Sequence, residues 1–151
     1  MKPVLPTFAL VANRASAALY RTMGPGVAPE LVRRFDHPEG RLKAGEINTD
    51  RPGRGFDKSG GGSHAFSPEE GPVEKVARDF ANKLAKDLQH ARQNSEYDEL
   101  ALIAPPRMLG YLREAMDRPT RELVYGEIAK DIDQHNPMDV RKLLDQIGAK
   151  A

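Results

Sequence analysis

Cysteine is absent from this chain of 151 residues, and a net charge is almost absent as well. Without thiols there are no disulfide bonds and no thiolate metal sites, and a reducing compartment is compatible with the composition. The formal net charge is only +1 at pH 7. A molecule with this balance does not attract polyanions as a whole, so any basic character has to be local.

Long apolar stretches are also missing. The first apolar run follows Met1-Lys2-Pro3-Val4-Leu5-Pro6 and is stopped by Asn13 and Arg14. A signal peptide has a longer uninterrupted apolar region and a small-residue cleavage site. A membrane-spanning helix needs about 18 apolar residues or more. We therefore expect a cytoplasmic protein that makes no contact with a membrane.

What is present is an apolar pattern typical of one α/β domain covering residues 1–151. Three short runs come first and predict an antiparallel meander with the first run innermost, namely Thr7–Asn13, Ala15–Thr22 and Glu30–Phe35. The later pattern alternates between helix and strand. It predicts a helix from Pro72, a buried strand over Glu99–Ala104, a helix from Pro106, a strand over Leu123–Tyr125 with Glu127 to Asp131 leading away, and a helix from Pro137.

This order of elements predicts how the sheet is assembled. Right-handed crossovers place the Glu99–Ala104 strand beside the Thr7–Asn13 strand. The fold class is then α/β, with a mixed five-stranded sheet in the order 3-2-1-4-5 and helices on its faces. This is a ribonuclease-H-like arrangement.

Residues from about 37 to 70 differ in composition from the rest. Eight of the thirteen glycines lie between Gly40 and Gly71, and apolar residues are sparse. Such a stretch buries too little apolar surface to offset the entropy lost on ordering, which predicts a long mobile loop. Its basic residues, which exceed the neighbouring acids, are Arg41, Lys43, Arg51, Arg54 and Lys58. They predict salt-dependent contact with RNA phosphates, and a solvated loop without a partner is the alternative.

Several stretches resemble the bacterial family of proteins required for attachment to host cells. They are Arg54–Asp57, Gly60–Ala65, Phe80–Ala81, Ala104–Gly110 and Gly126–Asp131. The resemblance covers essentially the whole chain, and the Ala-Pro-Pro-Arg-x-Leu-Gly block is its most specific part. The family often has a basic residue at the position of Ser63 and His-Glu at the position of Val73-Glu74. This departure puts a two-histidine site in doubt.

The host-attachment family is distantly similar to the middle domain of eukaryotic and archaeal release factors. That similarity implies a release-factor-like fold and an association with RNA or the ribosome. Release factors hydrolyse peptidyl-tRNA through a Gly-Gly-Gln tripeptide. This chain has Gly60-Gly61-Gly62-Ser63 and no glutamine there, so the resemblance does not extend to peptide release.

Four residues are candidate ligand contacts. Arg107 follows Pro105-Pro106 at a strand-to-helix junction, where open α/β sheets bind ligands and helix N-termini attract anions. The alternative is that Arg107 pairs with a local acid such as Asp131. Lys130 and Asp131 follow the last strand and are candidates too, or form an ion pair. His64 is a candidate base or phosphate contact because imidazole titrates near neutral pH, or is simply an exposed loop residue.

No metal, cofactor or catalytic residue is assigned. A ribonuclease-H-like fold can hold two metal ions between carboxylates on its first strand, a helix and its fourth strand. Here the first strand has no acid, and Asp98 and Glu99 stand at the start of the fourth. The favoured function is a non-enzymatic cytosolic binding protein associated with RNA or the ribosome. The alternatives are a hydrolase of a phosphorylated substrate that uses Arg107 and His64, and, less favoured, a directly acting adhesin.

Overall fold

The computed structural model describes residues 5–22, 26–38 and 71–150. In chain order its elements are β1 (Thr7–Ala12), β2 (Ser16–Thr22), β3 (Glu30–Asp36), α1 (Pro72–Gln93), β4 (Glu99–Ala104), α2 (Pro106–Ala115), α3 (Arg118–Arg121), β5 (Val124–Ala129) and α4 (Pro137–Lys150). The long loop predicted for about residues 37–70 lies outside the described residues, except for His37 and Pro38.

The five strands form one mixed sheet in the order β3-β2-β1-β4-β5, as predicted. The central strand β1 pairs antiparallel with β2 and parallel with β4. Every residue of β1 after Thr7 is buried. Helices lie on both faces of the sheet, so both sides of this strand face apolar neighbours, and its sequence is a continuous apolar run rather than an alternating one.

Alternate residues of the strands point to two separate apolar clusters. Phe8 and Leu10 of β1 face the cluster completed by α1 and α2. Ala9 and Val11 face the cluster completed by α4. Helix α1 contributes the apolar stripe expected from its sequence, and its buried residues recur at helical spacing: Ala77, Phe80, Ala81, Leu84, Ala85, Leu88 and Ala91.

The last third of the chain differs from the prediction in two elements. Strand β5 continues to Ala129 instead of ending at Tyr125, and it pairs with β4 as far as Ala104. Gly126 interrupts the apolar pattern, but it lets α4 approach, because a Cβ there would lie 2.5 Å from Cγ2 of Ile147. The short helix α3 was not predicted, and Asp117 caps it by accepting a hydrogen bond from the Thr120 N–H.

Candidate functional site

A cavity of about 510 Å³ opens where the carboxyl ends of β1 and β4 meet. The two strands are parallel, so the residues that follow each of them lie at the same edge of the sheet. We call this cavity the β1–β4 pocket. The residues that line it are Asn13, Arg14, Ala15, Val73, Glu74, Ala77, Pro105, Arg107, Met108, Tyr111 and Asp131.

The amino-terminal ends of α1 and α2 lie side by side at this pocket. Glu74 in the first turn of α1 is paired with Arg107 in the first turn of α2. Gly71 and Pro105, which precede the two helices, have no side-chain oxygen with which to cap them. The unpaired N–H groups of a first helical turn produce a positive potential. This end of the sheet therefore favours negatively charged ligand groups.

Arg107 is highly exposed at the rim, with 79% of its side chain accessible. Its Nη1 lies 3.1 Å from Oε2 of Glu74. The acid that it pairs with is thus Glu74 and not Asp131, the partner suggested by the sequence. An exposed ion pair of this kind contributes little to stability, typically about 0–1 kcal/mol. Arg107 can consequently exchange this partner for a ligand anion at low cost.

The turn between β1 and β2 supplies two further polar groups to the pocket. The Asn13 side-chain oxygen accepts hydrogen bonds from the N–H of Ala15 at 2.8 Å and of Ser16 at 2.9 Å. The oxygen is therefore occupied by the turn, and the amide nitrogen is the end that can serve a ligand. Arg14 beside it is exposed and forms no salt bridge with other residues of the described part of the chain.

Lys130 continues the sheet, whereas Asp131 lies at the pocket. The Lys130 N–H donates to the Ala104 carbonyl oxygen at 2.9 Å, which continues the pairing of β4 with β5. Asp131 lines the pocket, whereas Lys130 is not among the lining residues. The alternative of an ion pair between them is not seen among the described residues. The structure therefore brings Arg107 and Asp131 to one site and leaves Lys130 beside it.

An apolar and aromatic wall completes the pocket. Tyr111 is half-buried, and Met108 one turn before it on α2 is buried. The guanidinium carbon of Arg78 lies 4.9 Å from the centre of the Tyr111 ring. On the side of α1, Val73 and Ala77 extend the same wall. The pocket thus combines charged groups at its rim with a surface suited to a flat apolar group.

The other predicted contacts fall within residues 39–70, outside the described part of the chain, and the described residues on either side have neighbours that line the pocket. The His37 N–H donates to the carbonyl oxygen of Ala15, a lining residue, at 2.8 Å. Gly71 at the other end directly precedes the lining residues Val73 and Glu74. His64 and the basic residues Arg41, Lys43, Arg51, Arg54 and Lys58 lie outside the described residues.

The described ranges contain neither a cluster of metal ligands nor a helix that could span a membrane. Within residues 5–22, 26–38 and 71–150, no group of three or more His, Asp or Glu is placed to hold a metal ion. Glu99 stands at the start of β4, remote from the pocket end of that strand, and its Oε1 accepts from the Thr7 hydroxyl at 3.2 Å. Among these same residues, no helix has the length and apolar character required to cross a membrane.

Sequence reasoning missed Asn13, Arg14, Glu74 and Tyr111 as members of the site. A signal was present for the first two, because Asn13 and Arg14 directly follow a buried strand, in the position where α/β sheets bind ligands. Glu74 and Tyr111 carry no comparable signal. They belong to the two helices, and only the packing of α1 beside α2 brings them to the rim and wall of the pocket.

Comparison with known proteins gives a family match over most of the chain. The family described as "Protein required for attachment to host cells" matches residues 8–144, a range that contains every lining residue of the pocket. An uncharacterized protein of Rickettsia prowazekii (strain Madrid E) is 34% identical over 73 residues, which are 47% of this chain and 49% of that protein. The chain thus spans about half the length of this curated relative.

Two solved structures are similar at low identity. The crystal structure of an archaeal translation termination factor is 11% identical with a TM-score of 0.49, and the match covers 85% of this chain and 31% of that one. A structure described as an archaeal protein is 10% identical with a TM-score of 0.46, and the match covers 95% of this chain and 39% of that one. In both cases the present chain corresponds to a minor part of a longer protein.

Proposed function

For this chain, which belongs to the family of proteins required for attachment to host cells, we propose the function of a non-enzymatic cytoplasmic protein that binds RNA. The observation that carries the proposal is the β1–β4 pocket, where an exposed arginine stands at two neighbouring helix N-termini. Attachment to host cells is then an indirect consequence of RNA binding inside the cell.

The rim of the pocket has the chemistry of a phosphate contact. Arginine binds phosphate oxygens through two parallel N–H groups, and helix N-termini add backbone N–H donors. Two arginines and two acids line the pocket, so its formal charge cancels. Phosphate attraction therefore depends on Arg14 and on an Arg107 that has left Glu74, while Glu74 and Asp131 keep the site from acting as an unspecific anion trap.

The basic stretch of the chain supplies the second part of the proposal. Five basic residues and three acids fall within residues 41–58. Additional acids flank this stretch at Glu39, Glu69 and Glu70, so the positive charge is confined to the stretch itself. These cations would add salt-dependent contacts to the phosphates of a nucleic acid strand held by Arg107.

The decisive experiment measures RNA binding by fluorescence anisotropy with a short single-stranded RNA. Binding by the wild-type protein should weaken steeply between 50 and 200 mM salt, because each phosphate contact releases counterions. Replacing Arg51, Arg54 and Lys58 together by alanine should weaken binding. The same change should reduce the slope of log affinity against log salt by up to about 2, since each single-strand contact contributes about 0.7.

A matched pair of single variants tests the pocket itself. Arg107→Ala should weaken RNA binding, whereas Arg118→Ala should leave it unchanged. Arg118 is also a highly exposed arginine in a surface ion pair, 83% accessible and 3.2 Å from Glu122, but it does not line the pocket. Equal effects of the two variants, or unchanged binding by the triple variant, would contradict the proposal. Salt-dependent co-sedimentation with ribosomes would show which RNA is bound in the cell.

A hydrolase of a phosphorylated substrate is the alternative that the pocket also favours. Its volume of about 510 Å³ suits a small organic phosphate as well as a strand end. Steady release of inorganic phosphate from nucleotides or phosphomonoesters, lost in Arg107→Ala, would replace the binding proposal with this one. Peptidyl-tRNA hydrolysis is not expected in either case, because Ser63 follows the three glycines at residues 60–62.

A further inference from the structure

The Tyr111 ring, which forms the aromatic part of the β1–β4 pocket wall, is in contact with an arginine side chain. The Arg78 guanidinium carbon lies 4.9 Å from the centre of the Tyr111 ring, in the range of a cation–π contact. Arg78 is itself oriented by Glu114, whose Oε1 accepts from Arg78 Nη1 at 2.9 Å. One face of the ring is thus in contact with a guanidinium that is paired with Glu114, while Tyr111 still lines the cavity.

The spacing of residues on α2 allows the Tyr111 ring and the Arg107 guanidinium to contact the same ligand. Arg107 and Tyr111 are four residues apart, and Met108 and Tyr111 are three apart, so all three lie on one face of the helix. One helical turn, about 5.4 Å, separates the arginine at the rim from the ring deeper in the pocket. A ligand that joins a flat apolar group to a phosphate through a short linker matches this order.

We propose that the β1–β4 pocket holds a single nucleotide of the bound RNA, with its base stacked on Tyr111 and its phosphate on Arg107. The inference rests on the proposed RNA-binding function and identifies the unit that the pocket takes. Inorganic phosphate would leave the wall of Val73, Ala77 and Met108 unused. A base uses this wall because every base has a flat face that stacks on aromatic side chains.

The polar groups around the ring suit the remaining parts of a nucleotide. The Asn13 amide nitrogen is the donor end of a side chain whose oxygen is occupied by the β1–β2 turn. The Asp131 carboxylate lines the pocket and can accept from ribose hydroxyls. These two groups would contact the base edge and the sugar, whereas Arg107 would contact the phosphate.

The test titrates adenosine 5′-monophosphate, ribose 5-phosphate and inorganic phosphate into the full ¹⁵N-labelled chain and follows amide chemical shifts. Adenosine monophosphate should shift the amides of the pocket residues and bind more tightly than the other two probes. Tyr111→Leu should weaken its binding by at least about fivefold, the loss expected for one stacked base. Tyr111→Phe, which keeps the ring, should bind normally.

The controls separate this inference from the proposed function. Tyr125→Leu should not change nucleotide binding, since Tyr125 is an exposed tyrosine on β5, 38% accessible, outside the pocket. Equal affinity for adenosine monophosphate and ribose 5-phosphate, or no effect of Tyr111→Leu in a protein that melts like the wild type, would overturn the inference. RNA binding that persists without nucleotide binding overturns this inference alone. Nucleotide binding without RNA binding instead overturns the proposed function.

Discussion

The two faces of the sheet are stabilised in different ways. The face covered by α1 and α2 is filled by large side chains, including Phe8 and Tyr97, whose stacked ring centres lie 4.8 Å apart. Half of the buried strand residues that face α4 are alanines, namely Ala9, Ala18 and Ala101, and polar contacts add to this interface. Arg141 Nη1 donates to the Thr22 hydroxyl at 2.6 Å, and the Tyr20 hydroxyl donates to the Gln134 carbonyl oxygen.

This difference bears on where the protein is rigid. Burial of apolar surface contributes about 25 cal/mol per Å², so the face with larger side chains gains more from its packing. Helices α1 and α2 carry the wall and rim of the β1–β4 pocket, and they lie on that face. A site that must hold two helix N-termini in register is thus built on the better-packed side, and we expect α4 to open first.

The largest expected effect comes from placing a charge in the better-packed face. Leu84 of α1 is fully buried, and Leu84→Asp would bury an unpaired carboxylate against the sheet. Destabilisation should exceed about 4 kcal/mol, which is a large part of the roughly 5–15 kcal/mol stability of a typical domain. Thermal unfolding followed by circular dichroism measures it. Lys83→Asp, on the exposed side of the same helix, should melt within a few degrees of the wild type, and similar melting of both variants would contradict the comparison.

A smaller effect on the same face depends on pH. Burial raises the pKa of Tyr97 from 10.0 to about 12, and its hydroxyl donates to the Leu88 carbonyl oxygen at 2.8 Å. Between these two values the folded protein keeps a proton that the unfolded chain has lost, so the free energy of unfolding falls as the pH rises. The contribution is on the order of 2 kcal/mol, fully present below pH 10.

The Tyr97→Phe variant isolates this contribution in urea unfolding between pH 9 and pH 11.5. At pH 9 it should be about 1 kcal/mol less stable than the wild type, because a buried hydrogen bond is lost. The difference should shrink as the pH rises and reverse before pH 11.5, since the variant has no phenol to ionise. A constant difference across this range would show that Tyr97 does not titrate differently in the folded state.

The smallest effect is expected on the α4 face, where Gly126 allows close approach of the helix. A Cβ at this position would lie 2.5 Å from Cγ2 and 3.0 Å from Cδ1 of Ile147. Gly126→Ala should destabilise the protein by about 1 kcal/mol, at the lower end of overpacking costs because the obstructing atoms belong to a side chain. In the background of Ile147→Ala, the same substitution should cost less, as a double-mutant cycle by urea unfolding will show. Additive effects would mean that the added methyl group makes no unfavourable contact with Ile147.

Much of the fold was predictable because its signals are local. The run that became β1 is apolar and short, the stripe of α1 recurs at helical spacing, and a proline starts each of the three longer helices. The sheet order followed from the handedness of crossovers and is confirmed. The predicted strand β5 was too short because Gly126 interrupts its apolar pattern. The glycine makes room for Ile147, which lies 21 residues later in the chain, and no local pattern indicates this contact.

The candidate site likewise has members that the sequence predicted and contacts that it did not. The position of Arg107 after a strand and before a helix, and that of Asp131 after the last strand, were legible in the sequence because strand ends bind ligands in α/β sheets. By itself the sequence thus determined four of the five strands, the helix faces, the sheet order and the position of Arg107 and Asp131 at strand ends, since each depends on neighbours a few residues apart or on a general rule of chain handedness. Only the tertiary structure decided that Glu74 is the partner of Arg107 and that Arg78 covers the Tyr111 ring. These contacts join residues 33 positions apart on two helices, and they exist because both helices pack side by side on one face of the sheet.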